Sequence, residues 1–308
     1  MSVISASQVK ELREISGAGM MDCKKALEEN AGNIQDAVDW LRKKGLAKAA
    51  KKAGRVAAEG LVALATSGNQ GVIIELNSET DFVARNEQFQ QLAEAIAQTA
   101  LNTDASIDAI KSAPCMGKNV DAAIVDAIAG IGENMNLRRA VQVRVEQGLV
   151  SSYVHSAVKA GLGKIGVLVA LHTNQPTNDA VIALGKQLAM HIAAARPEAL
   201  TRDGVDASLL ERERAVFKDQ AIASGKTEEI AEKMVEGRIR KFYEEVVLLE
   251  QNFVIDGKTK ISDVVANVAK DAGCTIAIAD YAILVLGEGV EKEETDFAAE
   301  VAAAVAGA

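Results

Sequence analysis

The amino-acid sequence predicts an α+β fold whose two-part core has approximate internal symmetry. Three observations lead to this prediction. The spacing of apolar residues changes along the chain from the period of a helix to that of a strand and back. Two stretches of the middle region repeat each other. The length of 308 residues fits two or three domains, at roughly 100 to 200 residues each.

The predicted parts follow one another along the chain. They are a small three-helix N-terminal domain with a basic linker (1–55), a first core subdomain (56–140), a second core subdomain (141–287) that contains an antiparallel helical hairpin (about 206–250), and a C-terminal helical module (288–308).

The N-terminal part predicts three short helices, because apolar residues recur at helical spacing between two breaks at 17–19 and 30–33. Ser5 or Ser7 fits the N-cap of the first helix, and Asn33 fits the N-cap of the third. We expect the third helix to end at Lys44-Gly45 and a basic tether, 47–55, to lead to the core.

The core begins with a predicted hairpin of strands at 61–65 and 72–76. A helix is expected to start at Asp81 or Phe82 and to reach Leu101. The remaining predicted elements are helices at 106–113, 120–131 and 177–195, and strands at 138–147, 150–155 and 165–172. Beyond the helical hairpin, we expect a helix at 262–272, a strand at 275–286 and a last helix at 295–306.

An internal repeat supports the symmetry of the core. The segment 59–62 matches 147–150, the segment 71–76 matches 166–171, and the segment 91–97 matches 187–193. Two copies of a hairpin-plus-helix unit predict a pseudo-symmetric pair of subdomains, since a repeat array needs more copies.

Composition excludes several functional classes. No run of 18 apolar residues occurs, so no transmembrane helix is predicted, and the N-terminus lacks the pattern of a secretory signal. The three cysteines are far apart, which argues against disulfides or structural zinc and favours a cytoplasmic location.

The charge is unevenly distributed. The chain has a net charge of −9, yet residues 1–55 contain 11 basic and 7 acidic side chains. Seven basic residues lie between 42 and 55. This cluster is either a solvated helix end or a contact with an acidic protein or nucleic acid. The acidic chain as a whole argues against a dedicated nucleic-acid-binding protein.

No motif predicts catalysis. Gly161–Gly166 has the spacing of a dinucleotide-binding loop, but a strand is expected after it instead of a helix. Ser224–Thr227 lacks the first glycine of a phosphate loop. We expect Cys23 to be a small buried residue and His191 a core histidine. The sequence therefore predicts a protein that is not an enzyme and needs no cofactor or metal.

The link between strand and helix differs between the two copies of the repeat. The first copy has Asp81-Phe82 where the second has Pro176-Thr177. In one interpretation, Thr80 or Ser78 caps the following helix and Phe82 folds back onto it as a hydrophobic staple. In the other interpretation, Phe82 is presented to a partner as an interface anchor.

Several motifs resemble the bacterial elongation factor Ts family. They are Leu12–Leu27, Thr80–Asn86, Ile131–Asn134 with Arg138 and Arg139, Ile230–Gly237, and the stretch from Gly287 to Glu300. The motifs keep their order along the whole chain, so the chain is identified as similar to this family throughout.

The resemblance implies a guanine-nucleotide exchange factor for elongation factor Tu, with a ubiquitin-associated-like N-terminal domain. It implies that Thr80, Asp81, Phe82 and Val83 enter the GTPase domain near its Mg²⁺ site. Further contacts with elongation factor Tu are implied for Met20, Met21, Ile131, Gly132, His155 and Phe297. No membrane and no direct nucleic-acid binding are expected. The competing hypothesis is a translation-associated adaptor that binds RNA or protein.

Overall fold

The computed structural model describes residues 4–16 and 18–291. Its helices are α1 (Ala6–Ser16), α2 (Met20–Glu29), α3 (Ile34–Lys52), α4 (Glu87–Ala100), α5 (Ile107–Ser112), α6 (Val120–Ile131), α7 (Asp179–Ala195), α8 (Ala207–Ala223), α9 (Glu228–Val246) and α10 (Ile261–Ala272). Its strands are β1 (Glu59–Ser67), β2 (Gln70–Ser78), β3 (Pro114–Cys115), β4 (Lys118–Asn119), β5 (Met135–Arg144), β6 (Gly148–His155), β7 (Leu162–Gly163), β8 (Ile165–Thr173) and β9 (Ile276–Val285).

The three N-terminal helices close a small core around Leu12, Leu27 and Ala37. Ser5 caps α1 by accepting a bond from the amide of Gln8 at 3.3 Å, and the Gln8 side chain accepts from the amide of Ser5 in return. This reciprocal pair is a capping box. The predicted N-cap at Asn33 is also confirmed, since its side chain accepts from the amides of residues 35 and 36.

The expected end of the third helix at Lys44-Gly45 is wrong, because α3 continues to Lys52. Alanine and lysine, which are good helix formers, dominate the extension. Gly45 is tolerated because it lies where α3 crosses α6: a Cβ atom there would be 3.4 Å from that of Ala129. The basic stretch is therefore largely a helix packed on the core and not an extended tether.

Two antiparallel sheets form the core, which confirms the α+β prediction. The first has the strand order β5-β2-β1-β7 and the second β6-β8-β9. Helix α4 packs on the first sheet and α7 on the second. The two sheets bury a shared apolar layer that includes Val62, Ile73, Val150 and Leu168. Strand β5 begins three residues earlier than predicted.

Both sheets have a β-bulge at equivalent positions of the repeat. The extra residue lies in β5, opposite the step from Glu75 to Leu76 of β2, and in β9, opposite the step from Ala170 to Leu171 of β8. A bulge is a specific feature of a strand pairing. Its presence at matching positions confirms the pseudo-symmetry that the repeated segments predict.

Equivalent glycines confirm the repeat independently. Gly60 and Gly148 have φ of +119° and +146°, backbone conformations that favour glycine. A Cβ atom at Gly60 would lie 2.2 Å from the carbonyl oxygen of Leu76, and one at Gly148 would lie 1.9 Å from that of Leu171. Each hairpin therefore needs glycine at this position, because its two strands approach each other closely beside Leu76 in one copy and Leu171 in the other.

The helix expected from Asp81 or Phe82 starts later, which corrects that prediction. A 3₁₀ turn occupies Val83–Arg85, and α4 begins at Glu87. Asn86 has an extended backbone and its side chain accepts a bond from the amide of Phe89 at 3.2 Å. Asparagine at this position supplies the N-cap, so the chain turns before α4.

Helices α8 and α9 form the predicted antiparallel hairpin, and α10 and β9 follow as expected. The buried residues of the hairpin are Ala221, Ala231, Val235 and Ile239. Other residues of the expected apolar stripes, such as Ile222 and Ile230, are exposed. The predicted helix at 295–306 and Phe297 lie outside the described residues.

Candidate functional site

The link between β2 and α4 presents an aromatic side chain to solvent. We call residues 79–85 the corner. Phe82 is 75% exposed and Asp81 is also exposed, while Val83 and Ala84 are buried in the core beneath them. The corner therefore has an apolar base and a tip at which a large apolar side chain is mostly exposed to solvent.

Local hydrogen bonds fix the backbone of the corner. The amides of Arg85 and Asn86 donate to the carbonyls of Phe82 and Val83 at 3.1 and 2.9 Å, and the Gln90 side chain donates to the carbonyl of residue 84. Phe89 is fully buried, whereas Phe82 is exposed on the other side of the 3₁₀ turn. The staple interpretation of Phe82 is therefore wrong.

A second loop supports the corner from the side. The carboxylate of Glu133 accepts a hydrogen bond from the Thr80 amide at 2.9 Å and another from the Thr80 hydroxyl at 2.6 Å. In the opposite direction, the amide of Asn134 donates to the carboxylate of Glu79. The corner and the loop 132–134 are therefore held together by reciprocal bonds.

The end of the N-terminal part bonds to the corner and to the loop 132–134. Arg55 pairs with Glu79 at 3.3 Å, and the side chain of Asn134 donates to the carbonyl of Arg55 at 2.7 Å. Lys52 donates to the carbonyl of Gly132. Three segments that are distant in the sequence thus meet around the corner.

The structure brings two groups of predicted site residues together. Thr80, Phe82 and Val83 lie in the corner, and Ile131 and Gly132 lie at the end of α6, which leads into the supporting loop. Gly132 is exposed and ends α6 in the left-handed conformation, with φ of +93°. Ile131 is half-buried against the core.

The other predicted residues lie elsewhere. Met20 and Met21 are exposed on α2, by 58% and 77%. His155 is exposed at the end of β6 in the second sheet, where its Nδ1 lies 3.2 Å from the hydroxyl of Tyr153. Phe297 is outside the described residues.

Most side chains of the basic cluster form contacts within the protein. Asp22 of α2 accepts hydrogen bonds from Lys44 at 2.7 Å and from Lys48 at 2.9 Å, and these two bonds hold the pKa of Asp22 below its usual value. Lys52 and Arg55 bond to the loop and the corner as described above. Four of the seven basic residues between 42 and 55 therefore stabilise the packing of α3.

The motifs that imitate catalytic sites are structural. Gly161–Gly166 contains β7 and the start of β8, and Ser224–Thr227 connects α8 to α9. His191 is buried, bonds to Gln251 at 2.9 Å, and has its pKa lowered by burial.

The described residues contain neither a metal-binding cluster nor a membrane-spanning helix. Within residues 4–16 and 18–291, no group of three or more His, Cys, Asp or Glu is placed to hold a metal ion. Over the same ranges, every helix falls short of the length and apolarity that crossing a membrane requires.

Sequence reasoning missed the residues that support the corner. The sequence places Arg55 only in the basic cluster and gives Glu79 no role, while Glu133 and Asn134 belong to a family motif without a role of their own. Their pairing joins positions 24 to 79 residues apart, so no local spacing indicates it. The only available signal was the resemblance of the segment Ile131–Asn134.

Comparison with known proteins adds a consistent set of similarities. A family model described as Elongation factor TS matches residues 79–288, about two thirds of the chain. An elongation factor Ts of Rhizobium johnstonii is 57% identical over the full length of both chains. That of Paramagnetospirillum magneticum is 59% identical over 98% of this chain and 97% of its own, and that of Rhodospirillum rubrum is 57% identical over 98% and 99%.

A two-part α+β core with a helical hairpin and an exposed aromatic corner, together with these similarities, places the chain among the translation elongation factors. The match extends over the whole chain and includes the corner and its supporting loop. Within that class, the chain belongs to the elongation factor Ts family.

Proposed function

We propose that this protein is a guanine-nucleotide exchange factor for elongation factor Tu and that Phe82 is its principal wedge. One observation supports the proposal most directly: a phenylalanine that is 75% exposed at the tip of a hydrogen-bonded corner. An exposed aromatic residue on a rigid support is the kind of anchor that contributes most of the energy of a protein interface. The factor acts in the cytoplasm and catalyses no covalent step.

The mechanism follows from how a GTPase holds its nucleotide. A phosphate-binding loop and a Mg²⁺ ion that bridges protein and phosphate provide most of the affinity. Phe82 and Asp81 enter beside this ion, and their insertion moves the groups that coordinate it. Weaker coordination lowers the affinity for GDP, so GDP leaves faster.

Thermodynamic linkage sets the limits of this effect. A factor that weakens GDP binding must itself be bound more weakly when GDP or GTP is present, because the coupling between two sites is reciprocal. The protein therefore accelerates exchange in both directions. The concentrations of GTP and GDP in the cell determine which nucleotide replaces the other.

The remaining predicted residues provide further contacts in this proposal. Met20 and Met21 of the N-terminal domain and Phe297 of the C-terminal module hold the GTPase domain. Ile131 and Gly132 contact it beside the corner, together with Thr80. Val83 is buried and supports the corner from below. His155 is assigned to a contact made by the second subdomain.

The alternative function, an adaptor that binds RNA, is not supported by the basic cluster. Four of its side chains bond within the protein, to Asp22, Gly132 and Glu79. RNA binding through this cluster would fall steeply with rising salt concentration. A salt-independent effect on GDP release would separate the two functions.

The test is the release of fluorescent GDP from elongation factor Tu, measured by stopped flow with and without the protein. We expect Phe82→Ala to lower the catalysed rate at least tenfold, because the wedge is lost while no core contact changes. A matched control is Ile255→Ala, which truncates a side chain that is 54% exposed in a loop after the helical hairpin. A normal rate for Phe82→Ala with unchanged binding would exclude the wedge.

A further inference from the structure

Glu133 is half-buried beside the corner, and its carboxylate accepts two hydrogen bonds from Thr80. We propose that Glu133 is a positioning residue for Phe82: it fixes the backbone from which Phe82 projects, so that the wedge is ordered before the partner binds. The proposal rests on the proposed exchange function and adds to it a residue that acts without touching the nucleotide.

The first argument is the register of the sheet. Strands β2 and β5 pair antiparallel as far as Ser78 opposite Met135. Continuing this register would place Glu79 opposite Asn134 and Thr80 opposite Glu133. The bonds observed there are made by side chains: Glu133 accepts from the Thr80 amide and hydroxyl, and Glu79 accepts from the Asn134 amide. Carboxylates thus extend the ladder by two residues beyond the end of backbone pairing.

The second argument is the strength of these bonds. Hydrogen bonds to an ionised carboxylate are shorter and stronger than those between neutral groups. Glu133 receives two donors from one residue, at 2.9 and 2.6 Å, which fixes both the backbone and the side chain of Thr80. Phe82 follows two residues later, so the direction in which its ring points depends on this attachment.

The third argument is that Glu133 is itself held in place. Gly132 ends α6 in the left-handed conformation and its carbonyl accepts from Lys52. Asn134 is bonded to Glu79 through its amide and to the carbonyl of Arg55 through its side chain. Because the neighbours of Glu133 on both sides are fixed, its carboxylate forms a rigid support.

The expected consequence is kinetic. A wedge on a loose loop must be ordered when it enters the partner, and this ordering lowers the rate of the exchange step. The other contact surfaces are unaffected, so the concentration of the factor at half-maximal rate should change little. Glu133→Ala should lower the maximal rate of GDP release about tenfold.

The decisive experiment compares four full-length proteins: the wild type, Glu133→Ala, Phe82→Ala and the double variant. If Glu133 acts through Phe82, Glu133→Ala causes no further loss in the Phe82→Ala background. Equal losses in both backgrounds would overturn the proposal, as would a normal maximal rate for Glu133→Ala. Glu229→Ala, which removes an exposed carboxylate of α9, is the matched control and should retain the wild-type rate.

Two conservative variants distinguish the loss of these hydrogen bonds from misfolding of the protein. Glu133→Gln keeps an oxygen that accepts from the Thr80 amide and should retain at least a third of the maximal rate. Thr80→Ser keeps both donors and should do the same. If both fall as far as Glu133→Ala, the proposal is wrong.

A measurement without the partner separates this proposal from the exchange function. Amide hydrogen exchange by NMR should show Thr80 protected in the wild type and at least tenfold faster in Glu133→Ala, with Arg85 and Asn86 accelerated to a smaller extent. Unchanged exchange at Thr80 would reject the positioning role. A wild-type protein that does not accelerate GDP release would reject the exchange function and leave this result intact.

Discussion

The two halves of the core carry the same elements but connect strand to helix in different ways. In the second half, β8 ends at Thr173 and α7 begins at Asp179 after a short loop. In the first half, β2 ends at Ser78 and α4 begins only at Glu87. The additional residues form the 3₁₀ turn and the exposed tip with Phe82.

The shared features are those that the fold requires. Both halves keep the bulge, the glycine that approaches it, and an asparagine N-cap, at Asn86 and Asn178. The features that differ are the length of the link and the side chains around it. The comparison teaches that the two copies share the backbone features that the fold requires, while one copy has a longer link with an exposed aromatic tip at a place where the fold tolerates insertion.

A second difference lies inside the sheets. At the bulge, β8 has the buried Ala170, whereas β2 has Glu75, whose side chain is fully buried. The Glu75 carboxylate accepts bonds from Arg139 at 2.6 Å, from Arg138 at 3.1 Å and from the amide of Gly287 at 2.9 Å. The first half therefore contains a paired charge at a position where the second half is apolar.

The largest expected effect comes from removing this charge. Glu75→Ala leaves two arginines beside an apolar cavity, and breaking a buried ion pair from one side typically costs about 3 kcal/mol or more. We expect the free energy of unfolding to fall by about 3 kcal/mol, measured by urea denaturation. A loss below about 1 kcal/mol would show that the two halves do not differ in this respect.

The buried Glu75 carboxylate also predicts that the stability of the fold depends on pH. Burial raises the pKa of Glu75, but hydrogen bonds from Asn77, Gly287 and Arg139 outweigh this effect and leave the pKa below its usual value. A lowered pKa stabilises the fold above the unfolded-state pKa of about 4.3 and loses this contribution as the pH falls further. The stability difference between the wild type and Glu75→Gln should therefore shrink below about pH 4.

A graft tests whether the corner or the phenylalanine alone distinguishes the first half. Thr177 is exposed in the equivalent link, so Thr177→Phe places an aromatic residue there without disturbing the core. In a protein that also has Phe82→Ala, we expect GDP release to stay at the lowered rate, at least tenfold below the wild type. Recovery of more than half the wild-type rate would show that the supporting corner is unnecessary.

The smallest expected effect concerns the two helix caps. Asn86→Ala and Asn178→Ala each remove a side-chain bond to a helix amide, and each should lower the free energy of unfolding by about 1 kcal/mol. Only Asn86→Ala should also slow GDP release, because its side-chain bond to the Phe89 amide fixes the start of α4 directly after the 3₁₀ turn that carries Phe82. Equal effects of both variants on release would contradict the assignment of function to one link.

Most of the architecture could be predicted from the sequence because it depends on local period and on the repeat. The three N-terminal helices, the sheets and the helical hairpin all follow the spacing of apolar residues. The end of α3 could not be predicted, because Gly45 normally indicates a break and only its contact with Ala129 shows why the helix continues. The start of α4 was missed because a 3₁₀ turn and an N-cap at Asn86 leave almost the same pattern as a longer helix.

The exposed residue of the site could be predicted from the sequence, but the residues that support it could not. Phe82 is conspicuous because aromatic residues make up only 3% of the chain and because the second copy of the repeat lacks it. The carboxylates of Glu79 and Glu133 carry no such signal, since surface acids are common. Their role depends on partners in other segments, which only the three-dimensional structure shows.

The attachment of Gly287 to Glu75 has a consequence for biosynthesis. The two residues are 212 positions apart, so the ribosome must make the chain as far as residue 287 before the first sheet can complete its network of buried bonds. Until then, Glu75 and its arginines lack a partner that the finished core provides. The completion of this buried network during synthesis therefore depends on a segment made 212 residues after Glu75, and a chain interrupted before residue 287 would leave a core with an incompletely bonded carboxylate.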